Sequence, residues 1–386
     1  MILSRSQLAT LAGLALASLL FNLLLLTWSG IHLGGDTVRY TEGAAKLAAG
    51  LPLDGIQRLF PAYIGVLAAS TAVGLGNAGV VGLQILVAAL AAVVLYQLGS
   101  TLAGPTAGLA AAVLFVLNVD VARWHTYVLA DSLYISLVII AAYAMHVASE
   151  RGGWWYAVAV AVVVASASLR PQGRLLAIVA AGYWIARWPA MVVDRRIVIA
   201  CAAVLVAGVV LSSREALKSA AETPGHWLGP GILWIEKGVV VWGDPASNLM
   251  MPHDPNIDIT KAEATSPEPL RYVLRHPMAT ARLAATRVGV ELWHARRFYS
   301  RGHNAVVVCF LGIIYALALA GFVRVWRQPL ARLLIAIVAA HLLMVAATFA
   351  DWDGRFLLFV LPLIGVFAAA GLAARTAVTP RTAVTA

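Results

Sequence analysis

A carboxylate that could do chemistry lies in the stretch GGDTVRYTEGAAKLAAG, residues 34–50, directly after a strongly apolar run. Asp36, Tyr40 and Ala44 fall on one side of a helix by the three-to-four residue rule, and Gly50 ends that helix. The pattern predicts a short helix on the membrane interface, with Asp36 at its start and Tyr40 as a candidate substrate contact. Such a carboxylate is either a catalytic group or an ordinary polar residue at the bilayer surface.

A second carboxylate, Asp131, lies about one turn into the apolar helix predicted from the stretch ADSLYISLVIIAAYAM. Arg123 and His125 lie in the loop before it and are candidate substrate contacts. A carboxylate at membrane depth is unfavourable and is usually paired or functional. Aspartate also favours the first turn of a helix, where it caps backbone amides. Both roles are open for Asp131.

Arginines are the third chemical feature. In SLRPQGRLLAI, Arg170 and Arg174 are four residues apart, so the spacing predicts that both guanidinium groups point from the same helix face at the outer boundary. A guanidinium presents a rigid fork that matches phosphate oxygens, although long side chains also reach lipid headgroups. Asp351, Asp353 and Arg355 fall at the same boundary, where an internal ion pair and a substrate contact are equally open.

The motifs of several other chemistries are missing from the sequence. There is no phosphate-binding P-loop, no G-x-G-x-x-G after a predicted strand and no G-x-S-x-G. The histidines show no H-x-x-x-H spacing, and Cys201 and Cys309 lie inside apolar runs, so neither a metal site nor a disulfide nor a cofactor is expected. A sugar or energy donor would have to arrive in the membrane already activated.

The composition indicates the class of protein that positions these residues. Of 386 residues, 61% are hydrophobic and 12% are charged, which is about half the charge of a soluble domain. The mean hydropathy is +0.84. Long uncharged runs exclude a large soluble α/β protein and predict an all-α, polytopic membrane helical bundle. The net charge of +10 indicates anionic membrane lipid or phosphate as a partner and not nucleic acid, because no basic-aromatic soluble module is present.

The apolar runs predict about ten membrane spans. Residues 60–76 are apolar enough to cross but contain Pro61 and three glycines, so they are assigned to the interface. This assignment places the polar regions on one outer face. The predicted spans are residues 8–29, 79–99, 104–119, 127–148, 154–169, 173–188, 196–213, 304–325, 330–349 and 355–374.

The chain divides into three parts. Residues 1–213 form a transmembrane module with a first outer loop at 30–78, and residues 304–386 form the C-terminal membrane helices. Residues 214–303 are a long polar segment, interpreted as an irregular outer-face cap followed by two helices broken at Pro277. Arginines interleaved with apolar residues there favour an interfacial helix on anionic lipid over a direct substrate role. These arginines are Arg271, Arg275, Arg282, Arg287, Arg296 and Arg297.

Several segments, in the order in which they occur along the chain, resemble segments of the GT-C glycosyltransferases that use lipid-linked sugars. The resemblance is in particular to the bacterial members related to protein O-mannosyltransferases and to lipid A aminoarabinose transferases. An apolar first helix followed by Asp36 is similar to the start of that family, and FPAYIGVLAA is similar to its juxtamembrane helix with one proline missing. YVLADSLYISLVIIAAYA is similar to its second acidic helix, LRPQG to the loop before its sixth helix, and GRFLLFVLPLIGVFAA to its late helix.

The resemblance implies a transferase that moves a sugar from a polyprenyl-phosphate donor to a lipid, glycan or protein acceptor. The enzyme would lie in the bacterial plasma (inner) membrane with its site facing the periplasm or exterior. Asp36 would be the base of an inverting displacement, and Asp131 would orient the acceptor or tune Asp36. The arginines that would stabilise the leaving phosphate are Arg58, Arg170, Arg174 and Arg355.

Two other classes stay open. A secondary transporter or lipid flippase would place charged residues near the bilayer midplane and would show internal repeats with broken helices. The charges of this chain cluster at one boundary instead, which favours an enzyme. A degenerate family member that acts only as an assembly partner is also possible, because one intact Asp36 does not prove turnover.

Overall fold

The computed structural model describes residues 4–187, 195–222, 238–242, 249–250, 273–296 and 298–373. Most of these residues are helical, as the composition predicts, and one 3-10 turn (Gly55–Leu59) separates the second helix from the third. The helices are α1 (Arg5–Ser29), α2 (Thr37–Ala48), α3 (Pro61–Ala72), α4 (Gly76–Ala103), α5 (Pro105–Val116), α6 (Val119–Trp124), α7 (Ala130–Arg151), α8 (Trp155–Leu169), α9 (Gly173–Arg187), α10 (Arg195–Glu222), α11 (Pro277–Trp293), α12 (Arg301–Val325), α13 (Pro329–Ala347), α14 (Arg355–Leu358) and α15 (Leu361–Leu372).

Five of the described helices, α1, α4, α7, α12 and α13, are long and apolar enough to cross a membrane. The chain is therefore a membrane protein, as its hydropathy predicts. Helices α3, α5, α8, α15 and residues 196–210 of α10 are shorter and apolar, with 10–17 residues each. The predicted count of about ten spans depends on how these shorter helices are tilted and paired, and it stays a prediction.

Helix α3 occupies the ambiguous segment 60–76. Its 12 residues rise about 18 Å, whereas a membrane core is about 30 Å thick. The Tyr63 hydroxyl donates to Gln84 Oε1 at 3.2 Å, and Ser70 Oγ donates to the Gly76 carbonyl at 2.6 Å. Helix α3 therefore lies alongside only the first part of α4. This geometry supports the predicted interfacial placement.

We expect cysteines introduced at Asp54 and Val119 to react with a membrane-impermeant maleimide from the same side of the membrane. Both positions are exposed, whereas His125 in the neighbouring loop is buried and unsuitable. A cysteine at exposed Trp154, beyond the far end of the long helix α7, should react from the opposite side. Labelling is measured on sealed cells in a background without native cysteines. Reaction of the first two positions from opposite sides would mean that α3 crosses.

The break between α4 and α5 lies at Gly104. Gly104 and Gly108 have the spacing of a close-packing pair. Gly104 instead ends α4 with φ 91, a left-handed value that glycine adopts freely. Close contact between the two helices lies at Gly99 and Gly108, where an added Cβ would collide with the backbone of the facing helix.

A small sheet, which the sequence interpretation did not anticipate, fastens the cap to the membrane helices. Strand β1 (Val239–Trp242) lies between β2 (Leu249–Met250) and β3 (Ala350–Asp351). It pairs antiparallel with β2 and parallel with β3, in the register Val241 to Ala350. The cap residues 223–237, 243–248 and 251–272 lie outside the described part of the chain. Pro277 begins α11, as the predicted helix break requires.

The arginines that follow Pro277 in the cap do not all point away from the protein. Arg282 is exposed, but Arg287 is 1% exposed and Arg296 is 4% exposed. Arg287 is buried because its four-residue spacing from Leu283 and Glu291 places it on the inward face of α11. Arg271 and Arg297 lie outside the described residues. The predicted lipid-facing role is therefore wrong for Arg287 and Arg296.

Candidate active site

Asp36 lies at the start of α2, and its carboxylate points to two arginines and makes no capping bond to its own helix. Arg39 Nη1 is 3.2 Å from Oδ1, and Arg355 Nη1 is 3.3 Å from Oδ2. Each oxygen keeps a further lone pair, since a carboxylate has about four acceptor positions. The Asp36 side chain is 26% exposed. A molecule in contact with the protein surface can therefore reach this carboxylate.

Polar contacts tie together the helices around Asp36. Thr37 Oγ1 donates to the Val128 carbonyl at 3.0 Å, just before α7 begins. Gln84 of α4 donates to the carbonyls of His125 and Tyr127 at 3.0 and 2.8 Å. Side chains that are far apart in the sequence are therefore held at fixed relative positions.

Asp131 is buried and paired with Arg170. The contact from Arg170 Nη1 to Asp131 Oδ1 is 2.5 Å, and the two side chains are 5% and 0% exposed. The atoms are in ion-pair contact but lack hydrogen-bond alignment, and Asp131 Oδ2 has no hydrogen-bond donor among the described residues. Of the two roles open for Asp131, the structure has the ion pair and not a capping hydrogen bond.

Arg355 joins the carboxylates of three elements. Its Nε lies 3.0 Å from Asp351 Oδ1 and 4.0 Å from Asp131 Oδ1, and its Nη1 reaches Asp36. The internal ion pair at Asp351 and Arg355 is therefore confirmed. A guanidinium with several fixed N–H groups can hold more than one carboxylate at once. We call Asp36, Tyr40, Asp131, Arg170 and Arg355 the boundary cluster.

Tyr40 contributes a buried hydroxyl to the boundary cluster. Its side chain is 0% exposed and its ring packs edge-on against Phe60 and Tyr63. The hydroxyl has no hydrogen-bond partner among the described residues. Burial raises the pKa of Tyr40, on which the charges of the other cluster members also act. A buried hydroxyl is unfavourable unless something bonds to it.

Arg170 and Arg174 do not share a helix face. Arg170 follows α8 in an extended conformation, with φ −150 and ψ 145, and the next helix begins only at Gly173. The guanidinium of Arg170 turns inward, 4.9 Å from the ring centre of Phe359. Arg174 lies in the first turn of α9 instead. The prediction of a common face is wrong because it assumed one continuous helix across Pro171.

Arg174 lines a groove of about 140 Å³. Arg58 lines the same groove from the 3-10 turn, and its Nε donates to the Leu53 carbonyl at 2.9 Å. Arg174 Nε is buried without a hydrogen-bond partner among the described residues. The remaining lining is mostly apolar and comes largely from α8, α9 and α10, including Val163, Ala167, Ala177, Leu205 and Gly208. The groove thus combines two cations with an apolar wall.

Arg123 and His125 lie outside the boundary cluster. Arg123 Nη2 is 3.4 Å from Asp353 Oδ2, and Nη1 donates to the Tyr299 hydroxyl at 3.1 Å. Burial raises the pKa of Asp353 to about 6, against the opposing charge of Arg123. His125 is buried, and its Nδ1 lies 2.7 Å from Ser132 Oγ. Burial lowers the pKa of His125 to about 4, so the ring is neutral.

The sequence interpretation missed two residues that contact or support the boundary cluster. Arg39 could have been found, since it stands three residues after Asp36 on one helix. Glu291 accepts hydrogen bonds from the backbone N–H groups of Asp351 and Leu357, which lie on either side of Arg355. No local sequence pattern marks Glu291 as part of the site. Among the described residues, no three histidine, cysteine or acidic side chains are grouped to hold a metal ion.

Comparison with known proteins places the fold. No protein-family profile matches the chain, and no curated protein matches it. Among solved structures, the chain is similar to the archaeal oligosaccharyltransferase AglB from Archaeoglobus fulgidus in complex with an inhibitory peptide and a dolichol-phosphate, with a TM-score of 0.56 and 12% identity. The match covers 95% of this chain and 50% of that one, so the chain spans about half the length of its structural relative. This likeness is one of fold, and the chain therefore has a GT-C-like membrane fold.

Proposed function

We propose that the chain is an integral-membrane glycosyltransferase that moves a sugar from a polyprenyl-phosphate donor to a hydroxyl-bearing lipid, glycan or protein acceptor. The observation that carries the proposal is the boundary cluster. It holds one partly exposed carboxylate and several buried polar atoms that have no hydrogen-bond partner among the described residues, including Tyr40 Oη and Asp131 Oδ2. These are groups that a polar substrate would satisfy. The fold shared with a structure that holds a dolichol-phosphate supports this interpretation.

The proposed reaction is a single inverting displacement. The acceptor hydroxyl oxygen attacks the anomeric carbon of the donor sugar, and its proton passes to an Asp36 oxygen. The bond between that carbon and the phosphate oxygen breaks, and the lipid phosphate leaves with the electron pair and a new negative charge. Nearby guanidinium groups stabilise this charge as it develops. Asp131 and Tyr40 orient the acceptor.

The groove of Arg58 and Arg174 is the proposed place of the lipid phosphate. A polyprenyl phosphate is a long apolar chain with an anionic end, and the groove has an apolar wall with two arginines. Arg174 has no carboxylate partner among the described residues, whereas Arg170 is neutralised by Asp131. We therefore assign donor phosphate binding mainly to Arg174 and the support of Asp131 to Arg170.

Replacing Arg174 with glutamine is expected to raise the donor KM by about 10- to 100-fold, the effect of losing one charged hydrogen bond of ~1.5–3 kcal/mol. The folded yield should stay near wild type, because no protein partner of this guanidinium is lost in the described structure. The matched control is Arg187→Gln at the other end of α9, where the arginine pairs with Glu150. Donor saturation kinetics of the purified protein decide the case. An unchanged donor KM in Arg174→Gln would assign this arginine to lipid headgroups.

The function itself is tested by incubating purified protein with radiolabelled polyprenyl-phosphate sugars and a panel of lipid, glycan and peptide acceptors. Transfer with inversion at the anomeric carbon is the expected result. The lack of any transfer, together with movement of the labelled lipid across liposomes that contain the protein, would support a flippase instead. Against a transporter, two charges of the boundary cluster lie at helix ends: Asp131 is in the first turn of α7, and Arg170 follows the last residue of α8. We place the site on the outer face of a bacterial plasma membrane.

A further inference from the structure

Helix α11 turns two charged residues toward the protein interior. Leu283, Arg287 and Glu291 recur every four residues and form its buried face. Arg287 donates from Nε to the Val239 carbonyl at 2.8 Å and from Nη1 to the Ala346 carbonyl at 3.0 Å. Buried charges require polar partners, and these partners are main-chain groups of the sheet and of the end of α13. Helix α11 is therefore fastened to the segment that leads into the boundary cluster.

Glu291 is bound to the same segment a few residues later. Its Oε2 accepts the backbone N–H of Asp351 at 2.9 Å, and its Oε1 accepts the N–H of Leu357 at 2.9 Å. The carboxylate is 1% exposed. Hydrogen bonds to an ionised acceptor are about twice as strong as neutral ones. One side chain thus holds the main chain on both sides of Arg355.

The end of α11 also supports this turn. Gly354 has φ 65, and a Cβ there would overlap the Arg296 guanidinium. Arg296 is 4% exposed, and its Nη2 lies 2.8 Å from His294 Nδ1. Glycine adopts this left-handed backbone freely and leaves room for the Arg296 guanidinium. The turn before Arg355 is therefore shaped by side chains of the cap.

We propose that Glu291 is a positioning residue for Arg355: by holding the amides of Asp351 and Leu357, it fixes the turn from which Arg355 reaches the two carboxylates of the boundary cluster. The catalytic consequence rests on the proposed function. The positioning itself is a property of the turn and can be measured without any substrate.

Protonation of Glu291 provides a second way to weaken its hold on the turn. Burial, and then the charge of Asp351, raise the pKa of Glu291 to about 7. The charge of Arg296 and the two amides oppose this shift, and the Tyr315 hydroxyl of α12 is the further titratable group that interacts with Glu291. The ionised carboxylate that accepts both amides predominates above this pH. Below it, a proton occupies one oxygen, and that oxygen accepts its amide more weakly.

Hydrogen exchange of the purified protein measures the positioning directly. In Glu291→Gln, an NH₂ group faces one of the two amides, so we expect peptides covering residues 350–358 to exchange about tenfold faster or more. Peptides from α7 and α9 should be unchanged. The matched control is Arg282→Gln, which removes a charge from the exposed face of the same helix. Unaltered protection of residues 350–358 in Glu291→Gln would overturn the proposal.

Kinetics and pH supply readouts that a general loss of stability would not produce. In Glu291→Gln, kcat should fall about tenfold while the donor KM stays near wild type, because the phosphate is held by Arg174. We expect wild-type activity to rise as the pH increases through about 7, and this rise should be missing in the variant. A variant that kept wild-type kcat and its pH profile would refute the catalytic consequence.

The wild-type protein provides a test that needs no variant to fold. After correction for intrinsic rates, protection of residues 350–358 should fall as the pH drops through about 7, with peptides of α7 unaffected. Constant protection across that range would contradict the role of the ionised carboxylate. If no acceptor or donor ever supports transfer, the proposed function fails, while the exchange result still decides whether Glu291 positions the turn.

Discussion

Replacing Asp36 with asparagine is expected to lower turnover by about 10²-fold or more, because general-base catalysis contributes that much and the amide cannot take the acceptor proton. The carbonyl oxygen of the new amide can still accept a hydrogen bond from one arginine. The Asp36 side chain is 26% exposed and makes no capping bond, so the folded yield should stay near wild type. The measurement is the rate of sugar transfer from a purified polyprenyl-phosphate donor at saturating donor and acceptor.

Glu42→Gln is the matched control for this variant. Glu42 lies on the same helix, is exposed and loses the same charge on substitution. Its turnover should equal that of wild type, which separates loss of the base from loss of negative charge at the outer face. Near-normal turnover in Asp36→Asn with true substrates would show that Asp36 is not the base, and the likeness to the oligosaccharyltransferase would then stand on fold alone.

Breaking the Asp131–Arg170 pair should have the largest effect on stability. Asp131→Asn leaves a guanidinium that is 5% exposed without its closest ionised partner. Removal of one member of a buried pair destabilises a protein by ~3–5 kcal/mol, because the remaining charge is uncompensated. The double variant Asp131→Asn/Arg170→Gln removes both charges and should recover much of the lost stability. Activity should be lost in both variants if Asp131 orients the acceptor.

The pair between Arg187 and Glu150 is the control for this experiment. It has the same contact distance of 2.5 Å, but its side chains are 20% and 47% exposed. Solvent screens such a pair, so Arg187→Gln should change the free energy of unfolding by about 0–1 kcal/mol. Denaturant or thermal unfolding in detergent gives the comparison. Equal losses in Asp131→Asn and Arg187→Gln would show that the Asp131 pair adds nothing beyond a surface contact.

The sequence alone identified the class of protein and predicted which segments carry the candidate site. Runs of apolar residues are a local property, so they predicted a helical membrane bundle whatever its packing. The ordered motifs predicted a GT-C-like fold, which the structural comparison supports. The pair of Asp351 and Arg355 was also within reach, because residues four apart in sequence meet locally.

The tertiary structure decided which charges face one another. Arg355 reaches Asp36 across 319 residues of sequence, and only the packing of the helices brings them together. The same packing turned Arg170 inward to Asp131 and left Arg174 in the groove, although their spacing suggested one common face. It also buried Glu291 behind the Arg355 turn. In a chain whose helices are apolar on nearly every side, periodicity carries little information about which face meets which neighbour, so the partners of the few charges are set by helix packing.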